Sequence, residues 1–326
     1  MNTGHASSYR CPMTAFVASV RLVAADIKIA HSVFALPFAA LAAVMASPKG
    51  SGVSTAHFAV QLALVVGCMV AARTWAMLFN RLADADIDAQ NPRTARRAVA
   101  SGALSRGAAW AFALGSAGVF VALAAGFGMI NDNWWPLVLA LPVLGWIALY
   151  SLTKRFTWLC HVFLGGALAA SPIAAAIAVH PESVGLGAAW PLALTTPGVP
   201  AIWALAGMVL VWVAGFDVIY ALQDTKIDRA QGLYSIPARL GVPAALWIAR
   251  GLHLVAFAAL LLAWKLDPRL GTTFLAAILL VGALLVLEHG IVARQGERGI
   301  DMAFFTVNGV VSVILGLSGF LDIMRA

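Results

Sequence analysis

NRLADADIDAQNPRTARR, residues 80–97, follows directly on the apolar run LALVVGCMVAARTWAMLF. If the helix continues out of that run, Asn80, Asp84 and Asp88, spaced i, i+4, i+8, fall on one stripe. Like charges one turn apart repel, and beside lipid that cost rises, so something cationic belongs between them. Magnesium suits such a stripe: it takes oxygen ligands, keeps several waters, and commonly binds through one or two carboxylates plus substrate phosphates. Beyond the carboxylates, Pro92 breaks the helix, and Arg93, Arg96 and Arg97 present planar forks matched to phosphate. The competing reading is a solvated loop whose arginines only fix topology.

The rest of the chain supplies the setting. Of its 326 residues, 62% are hydrophobic and 11% charged, against roughly 25% charged in soluble domains. Apolar stretches near the ~20 residues that span a bilayer recur along the whole length. Nine are predicted, near 24–46, 57–80, 105–127, 135–152, 158–179, 201–223, 243–264, 272–292 and 302–323. The fold class is therefore all-α, a polytopic membrane protein whose helices form one bundle around a central cavity. Residues 1–23 read as a short cytoplasmic leader without a small-residue cleavage site, and 24–326 as a single domain.

The net charge of +7 does not point to nucleic acid, because the basic residues are distributed as membrane topology requires. With the N-terminus inside, Arg10, Arg21, Lys28, Arg81, Arg93, Arg96, Arg97, Arg106, Lys154, Arg155, Lys226, Arg229, Arg239, Arg294 and Arg298 fall on the inner side. Only Lys49, Lys265, Arg269 and Arg325 fall outside, which predicts N-in, C-out. Cys11, Cys68 and Cys160 have no zinc-site spacing and read as packing residues. Trp134 and Trp135 read as an interfacial aromatic anchor.

The acidic pattern occurs twice. In DVIYALQDTKIDRAQGLYSIPARLG, residues 217–241, Asp217, Asp224 and Asp228 are spaced i, i+7, i+11 and again share a helical face, with Tyr220 one turn after Asp217 and a basic loop beyond. By the span count both stripes emerge on the inner side, where two carboxylate clusters can hold the ions that bridge a diphosphate and neutralise it as it leaves. Tyr150, Lys154 and Arg155, at the end of the fourth predicted span, reach that same side, although a basic pair there also reads as a topology anchor.

Arg73 lies seven residues before Asn80 and hence on its face, at a depth where an unpaired charge costs at least about 2.5 kcal/mol. It either pairs with an acidic stripe or receives an anionic group of a substrate. Glu288 and His289 read as solvated or interfacial. A transporter using the aspartates as an ion or proton relay is the rival class, but relays sit near the midplane, often at broken helices, whereas these aspartates cluster at one membrane face.

Taken together, the two stretches resemble the paired aspartate-rich motifs of the UbiA superfamily of intramembrane aromatic prenyltransferases, usually NxxxDxxxD and a DxxxD group. KIAHSVFALPF in the first span, YSLTKR after the fourth and AFFTVNG in the last extend the resemblance over nearly the whole chain. NRxxD in place of the more familiar NDxxD, with NPRT and FFTVNG, is similar to the 4-hydroxybenzoate polyprenyltransferase-like branch, which also contains enzymes similar to naphthoate prenyltransferases. Arg81 stands where an acidic group is more usual.

The resemblance implies Mg2+-assisted transfer of a polyprenyl group from polyprenyl diphosphate to an aromatic acid such as 4-hydroxybenzoate, or alternatively a dihydroxynaphthoate, in quinone synthesis. The protein would sit in a bacterial inner membrane with the site mouth facing the cytoplasm. Asn80, Asp84, Asp88, Asp224 and Asp228 are the implied metal ligands. Asp217 and Tyr220 join the aspartates as catalytic candidates, and Arg93, Arg97, Lys154 and Arg155 would clamp the diphosphate. Arg73, His31, Tyr150 and Asn308 are acceptor-site candidates, though His31 and Asn308 read equally as hydrogen-bonded packing residues.

Overall fold

A computed structural model describes residues 19–24, 34–47, 54–186 and 198–326, with helices and no strand among them. In chain order the α-helices are α1 Leu36–Ala46, α2 Thr55–Ala83, α3 Ala85–Ala89, α4 Arg106–Asn131, α5 Trp135–Thr153, α6 Cys160–Val179 and α7 Val199–Tyr220. After these come α8 Thr225–Ala230, α9 Ile236–Leu240, α10 Val242–Leu266, α11 Thr272–Gln295 and α12 Asn308–Arg325. Eight of the described helices are long and apolar enough to cross a membrane, and α1 is a shorter apolar helix. The second to ninth predicted spans match these eight closely. Of the first predicted span the α1 portion is described as helix, as is Ala24 at the end of the helical residues 19–24, and residues 25–33, with His31, lie outside the described residues.

Local chemistry sets the helix ends. Ser54 and Ser105 cap α2 and α4, their hydroxyls accepting from the His57 and Ala108 amides, each at 3.2 Å. α4 stops at Asp132, whose left-handed backbone (φ 55°) turns the chain. The next residue, Asn133, reaches across to donate to the Ile177 carbonyl at 2.7 Å and so satisfies the far end of α6.

α7 is the central helix. Two-thirds of its span is buried, whereas under a third of α2, α4 and α5 is. It packs against α6 and α10, and small residues allow the approach: a Cβ on Gly165 would collide with the Leu210 carbonyl, and one on Gly215 with the His253 ring. Its buried Trp212 meets Phe38 and Phe216, and Phe216 meets Phe304 edge-on.

Glu288 corrects its sequence reading. It is fully buried, not solvated, and its Oε1 accepts from Asn308 Nδ2 at 2.8 Å while Asn308 Oδ1 accepts from Trp212 Nε1 at 2.8 Å. His289 is half-buried, with Nε2 3.1 Å from His253 Nδ1. Asn308 also bonds the Ala303 carbonyl, at 3.0 Å, within the π-helical turn Met302–Val307 that opens the last span. These bonds tie the last span to α7 and α11.

Candidate active site

Both acidic stripes form at one end of the bundle, and each is built on a helix that breaks at its middle aspartate. Asp84 separates α2 from α3 with φ −98° and ψ 5°. Asp224 ends a 3₁₀ turn between α7 and α8 with φ −100° and ψ 0°. These are nearly the same bridge-region conformation, sparsely populated in general and frequent at functional sites. The break does not scatter the stripe, because the Asp84 amide still bonds the Asn80 carbonyl at 2.9 Å and the Asp88 amide the Asp84 carbonyl at 2.7 Å.

The stripes face each other across a cavity of about 190 Å³. Asn80, Asp84, Asp88, Arg93, Arg97, Tyr150, Lys154, Asp217, Tyr220, Asp224 and Asp228 all line it. The electrostatic problem posed by the stripes is answered from within the protein. Asp84, 1% exposed, receives Lys154 Nζ at 2.6 Å, Arg155 Nη2 at 2.9 Å and Asn80 Nδ2 at 3.2 Å. Asp88 takes Arg97 Nη1 on both oxygens, at 2.7 and 2.8 Å.

Asp224 is held by a fork from Arg93, whose Nε and Nη2 donate to its two oxygens, and by Asn91 Nδ2 at 3.0 Å. Arg93 Nη1 also donates to the Tyr220 hydroxyl at 3.0 Å. Burial works against the Arg93 charge, but its bonds to Asp224 and Tyr220 outweigh that, and the guanidinium is held more firmly protonated than an ordinary arginine.

Among the described residues, two of the stripes' carboxylates have no Lys or Arg partner. Asp228 Oδ2 accepts from the Ser235 hydroxyl at 2.7 Å. Asp217 Oδ2 lies 2.7 Å from His161 Nδ1, and the other ring nitrogen of that histidine accepts from the Ile236 amide at 3.2 Å. A backbone amide can only donate, so Nε2 carries the lone pair and His161 is neutral with its proton on Nδ1.

Not every candidate reaches the cavity. Arg155 stands behind Asp84 and spends its other bonds on the carbonyls of Ala83 (2.7 Å) and Ser151 (3.0 Å), so it caps two helix ends and orients Asp84. Asn80 Oδ1, the atom through which an asparagine ligates a cation, accepts from Arg81 Nη1 at 3.2 Å. Asn91, His161 and Ser235 belong to the site although the motif spacing does not single them out. Asn91 and His161 pair with aspartates 133 and 56 residues away, separations that no local pattern encodes.

A second cavity of about 370 Å³ runs between α2, α4, α5 and α6 and meets the first at Asn80 and Tyr150, which line both. Its wall follows α5 from Tyr150 back to Pro136, a length of roughly 20 Å at 1.5 Å per residue. It is lined almost wholly by Ala, Val, Leu, Ile, Met and Phe. Arg73 is its one charged lining residue, and Arg73 Nε is buried without a hydrogen-bond partner. No acidic stripe claims this arginine among the described residues, which removes one of its two sequence readings.

Comparison with known proteins bears on the chain as a whole. Residues 35–310 match the UbiA prenyltransferase family. The chain is 30% identical over 245 residues to a 4-hydroxybenzoate octaprenyltransferase of Xanthomonas euvesicatoria pv. vesicatoria (strain 85-10), covering 74% of this chain and 73% of that one. A relative of the same name from Pseudoalteromonas atlantica is 27% identical over 76% of this chain and 79% of its own. Among solved structures, the apo form of a UbiA homolog from Aeropyrum pernix K1 superimposes with a TM-score of 0.76 at 31% identity, covering 90% of this chain and 98% of that one. A UbiA homolog from Archaeoglobus fulgidus bound to GPP and Mg2+ shares the fold, at 18% identity, with a TM-score of 0.60 and coverage of 94% and 99%.

Proposed function

The chain belongs to the UbiA prenyltransferase family, and from that premise we propose that it transfers a polyprenyl group from polyprenyl diphosphate to the ring of an aromatic acid, with 4-hydroxybenzoate as acceptor, in quinone synthesis. The carrying observation is the junction of the two cavities: an aspartate- and arginine-lined chamber opens at Asn80 and Tyr150 into a long apolar one whose wall holds a single arginine without a hydrogen-bond partner at Nε. Each part of the reaction has a matching surface. The diphosphate belongs in the polar chamber, the isoprenoid tail along α5, and the acid's carboxylate on Arg73, where a charge-assisted contact satisfies the guanidinium.

A divalent cation fits the chemistry of the donors and not their present arrangement. Asp84, Asp88, Asp224 and Asp228 offer hard oxygen ligands, which suit magnesium. Asn80 Oδ1 accepts from Arg81 and keeps a second lone pair that a cation could take. Among the described residues no three acidic, His or Cys side chains converge on a point that a metal could take. Lys154, Arg93 and Arg97 hold Asp84, Asp224 and Asp88. A diphosphate offers these cations an anion of their own, which frees the carboxylates. Magnesium, when bound, supplies charge neutralisation to the departing diphosphate.

The residues then divide the work. Arg93, Arg97 and Lys154 clamp the diphosphate, Arg155 keeps Asp84 in place, and Arg73 orients the acid with its ring toward the allylic carbon. The ring carbon ortho to the phenol attacks that carbon. N-in, C-out orientation puts the polar chamber on the cytoplasmic side of the inner membrane, where a water-soluble aromatic acid and released diphosphate exchange with solvent.

The test is conversion of labelled polyprenyl diphosphate by purified protein with Mg2+ and 4-hydroxybenzoate, next to a panel that includes a dihydroxynaphthoate. Prenylated 4-hydroxybenzoate with release of one diphosphate per product is expected. Donor that remains intact with every acid would overturn the reading.

A further inference from the structure

His161 belongs to neither acidic stripe, yet its ring closes a bridge between one of them and the loop that follows it. The ring is 2% exposed at the start of α6. Its Nδ1 faces Asp217 Oδ2 at 2.7 Å and its Nε2 accepts the Ile236 amide at 3.2 Å. The neighbouring Cys160 Sγ donates to the Tyr234 carbonyl at 3.3 Å, so consecutive residues of α6 grip consecutive parts of the same loop. This grip fixes the imidazole in position and, because one partner is a backbone donor, also fixes its tautomer. A neutral Nδ1–H donor holds a carboxylate by one oxygen without cancelling its charge, unlike the cations on Asp84, Asp88 and Asp224.

Asp217 is thereby left with one uncommitted oxygen. Oδ1 has no hydrogen-bond partner among the described residues, the side chain keeps 22% exposure, and the residue lines the polar cavity. Asp217 on α7 stands seven residues before Asp224, which ends the 3₁₀ turn after that helix, roughly 10 Å at helical rise, toward the side where the two cavities meet at Tyr150. On the proposed reaction this is the depth of the acceptor ring, below the diphosphate.

We propose, resting on that reading of the reaction, that His161 is a positioning residue: it holds the Asp217 carboxylate aimed at the acceptor ring, so that Asp217 Oδ1 takes the proton the ring gives up. The step balances. The allylic carbon's bond to the diphosphate oxygen breaks with its electron pair leaving on the diphosphate, and a ring π pair forms the new carbon–carbon bond. The C–H bond at that ring carbon returns its pair to the ring, and the proton passes to Asp217 Oδ1. His161 cannot relay it onward, since Nδ1 already bears a proton and Nε2 is occupied by the Ile236 amide. The proton leaves through the cavity.

The experiment is a double-mutant cycle with a conservative rescue. Asp217→Asn keeps the shape and the bond from His161 but not the basicity, and its kcat should fall on the order of 10²-fold or more at saturating substrates. His161→Leu should lower kcat by about tenfold or more, with donor KM unchanged and the protein still folded. His161→Gln should restore most of the loss, because its amide donates to Asp217 and its carbonyl accepts from Ile236 without being able to shuttle a proton. The deciding value is His161→Leu in the Asp217→Asn background, where no further loss is expected. A full additional loss there, or a His161→Gln variant as poor as His161→Leu, would overturn the assignment.

A second readout needs no turnover. Nitrogen NMR of 15N-histidine protein, with His161→Gln identifying the signal, should show a neutral ring protonated on Nδ1. A protonated Nε2 would refute the clamp. If wild-type protein prenylates no acid, the function reading fails, and the nitrogen spectrum still decides how His161 is held.

Discussion

Asp84 meets Lys154 and Arg155, and Asp88 meets Arg97, whereas on the second acidic helix only Asp224 meets a cation, and Asp217 and Asp228 face a neutral imidazole and a serine hydroxyl. The two helices break at the same backbone conformation and carry aspartates on one face, yet their charge is treated differently. The first is neutralised by its own protein. The second keeps net negative charge turned toward the cavity, and there an incoming cation has the least to displace.

That difference separates stability from chemistry. Removing Asp84 strands two cations against a buried, nearly inaccessible position, so Asp84→Ala should lower turnover by at least on the order of 10³-fold and also cost about 3–5 kcal/mol of stability. Asp228→Ala should harm turnover comparably while costing only about 1.5–3 kcal/mol, since a hydroxyl is its sole partner. Chemical unfolding in detergent beside a prenyl-transfer assay separates the two. Equal stability losses would erase the asymmetry.

The next effect is on the acceptor. Arg73→Met should weaken the aromatic acid by about 2–5 kcal/mol if the contact is fully desolvated and leave the donor nearly unchanged, measured as KM for each at saturating partner. A loss shared by both axes would mean that Arg73 supports the bundle and not the acid.

Arginine geometry gives the smaller effects. Arg93→Ala, which removes charge-assisted bonds, should raise donor KM by roughly tenfold to a hundredfold, about 1.5–3 kcal/mol. Arg93→Lys should fall between it and wild type, because one ammonium cannot reproduce a fork. Arg155→Ala should change donor KM least, since its bonds run to Asp84 and two helix-end carbonyls. Its deficit should appear as lost stability.

Much of this was readable from the sequence, and the gaps have physical causes. Apolar length announces a span, so eight long helices fall where expected. Spacing announces a stripe, so both aspartate sets reach one cavity. Spacing does not reveal what a charge is paired with. Arg155 reads as a phosphate clamp, and only the structure shows its bonds to the carbonyls of Ala83 and Ser151; Asn80 reads as a metal ligand, and only the structure shows Arg81 donating to its oxygen. Glu288 lies two turns inside the end of α11, and its burial depends on Asn308 across another helix. The breaks at Asp84 and Asp224 are equally hidden, and at Asp84 the i→i+4 bonds run through the break.

The proposed reaction requires an exchange of partners: the cations that hold Asp84, Asp88 and Asp224 pass to the diphosphate, and the freed carboxylates take the divalent ion. The most direct measurement is a structure of this protein with Mg2+ and a non-reactive polyprenyl thiodiphosphate. Lys154, Arg93 and Arg97 should be found on the diphosphate oxygens, with the metal on Asp84, Asp88, Asp224 and Asp228. A donor bound while Arg93 still forks onto Asp224 and Lys154 still holds Asp84 would contradict the account.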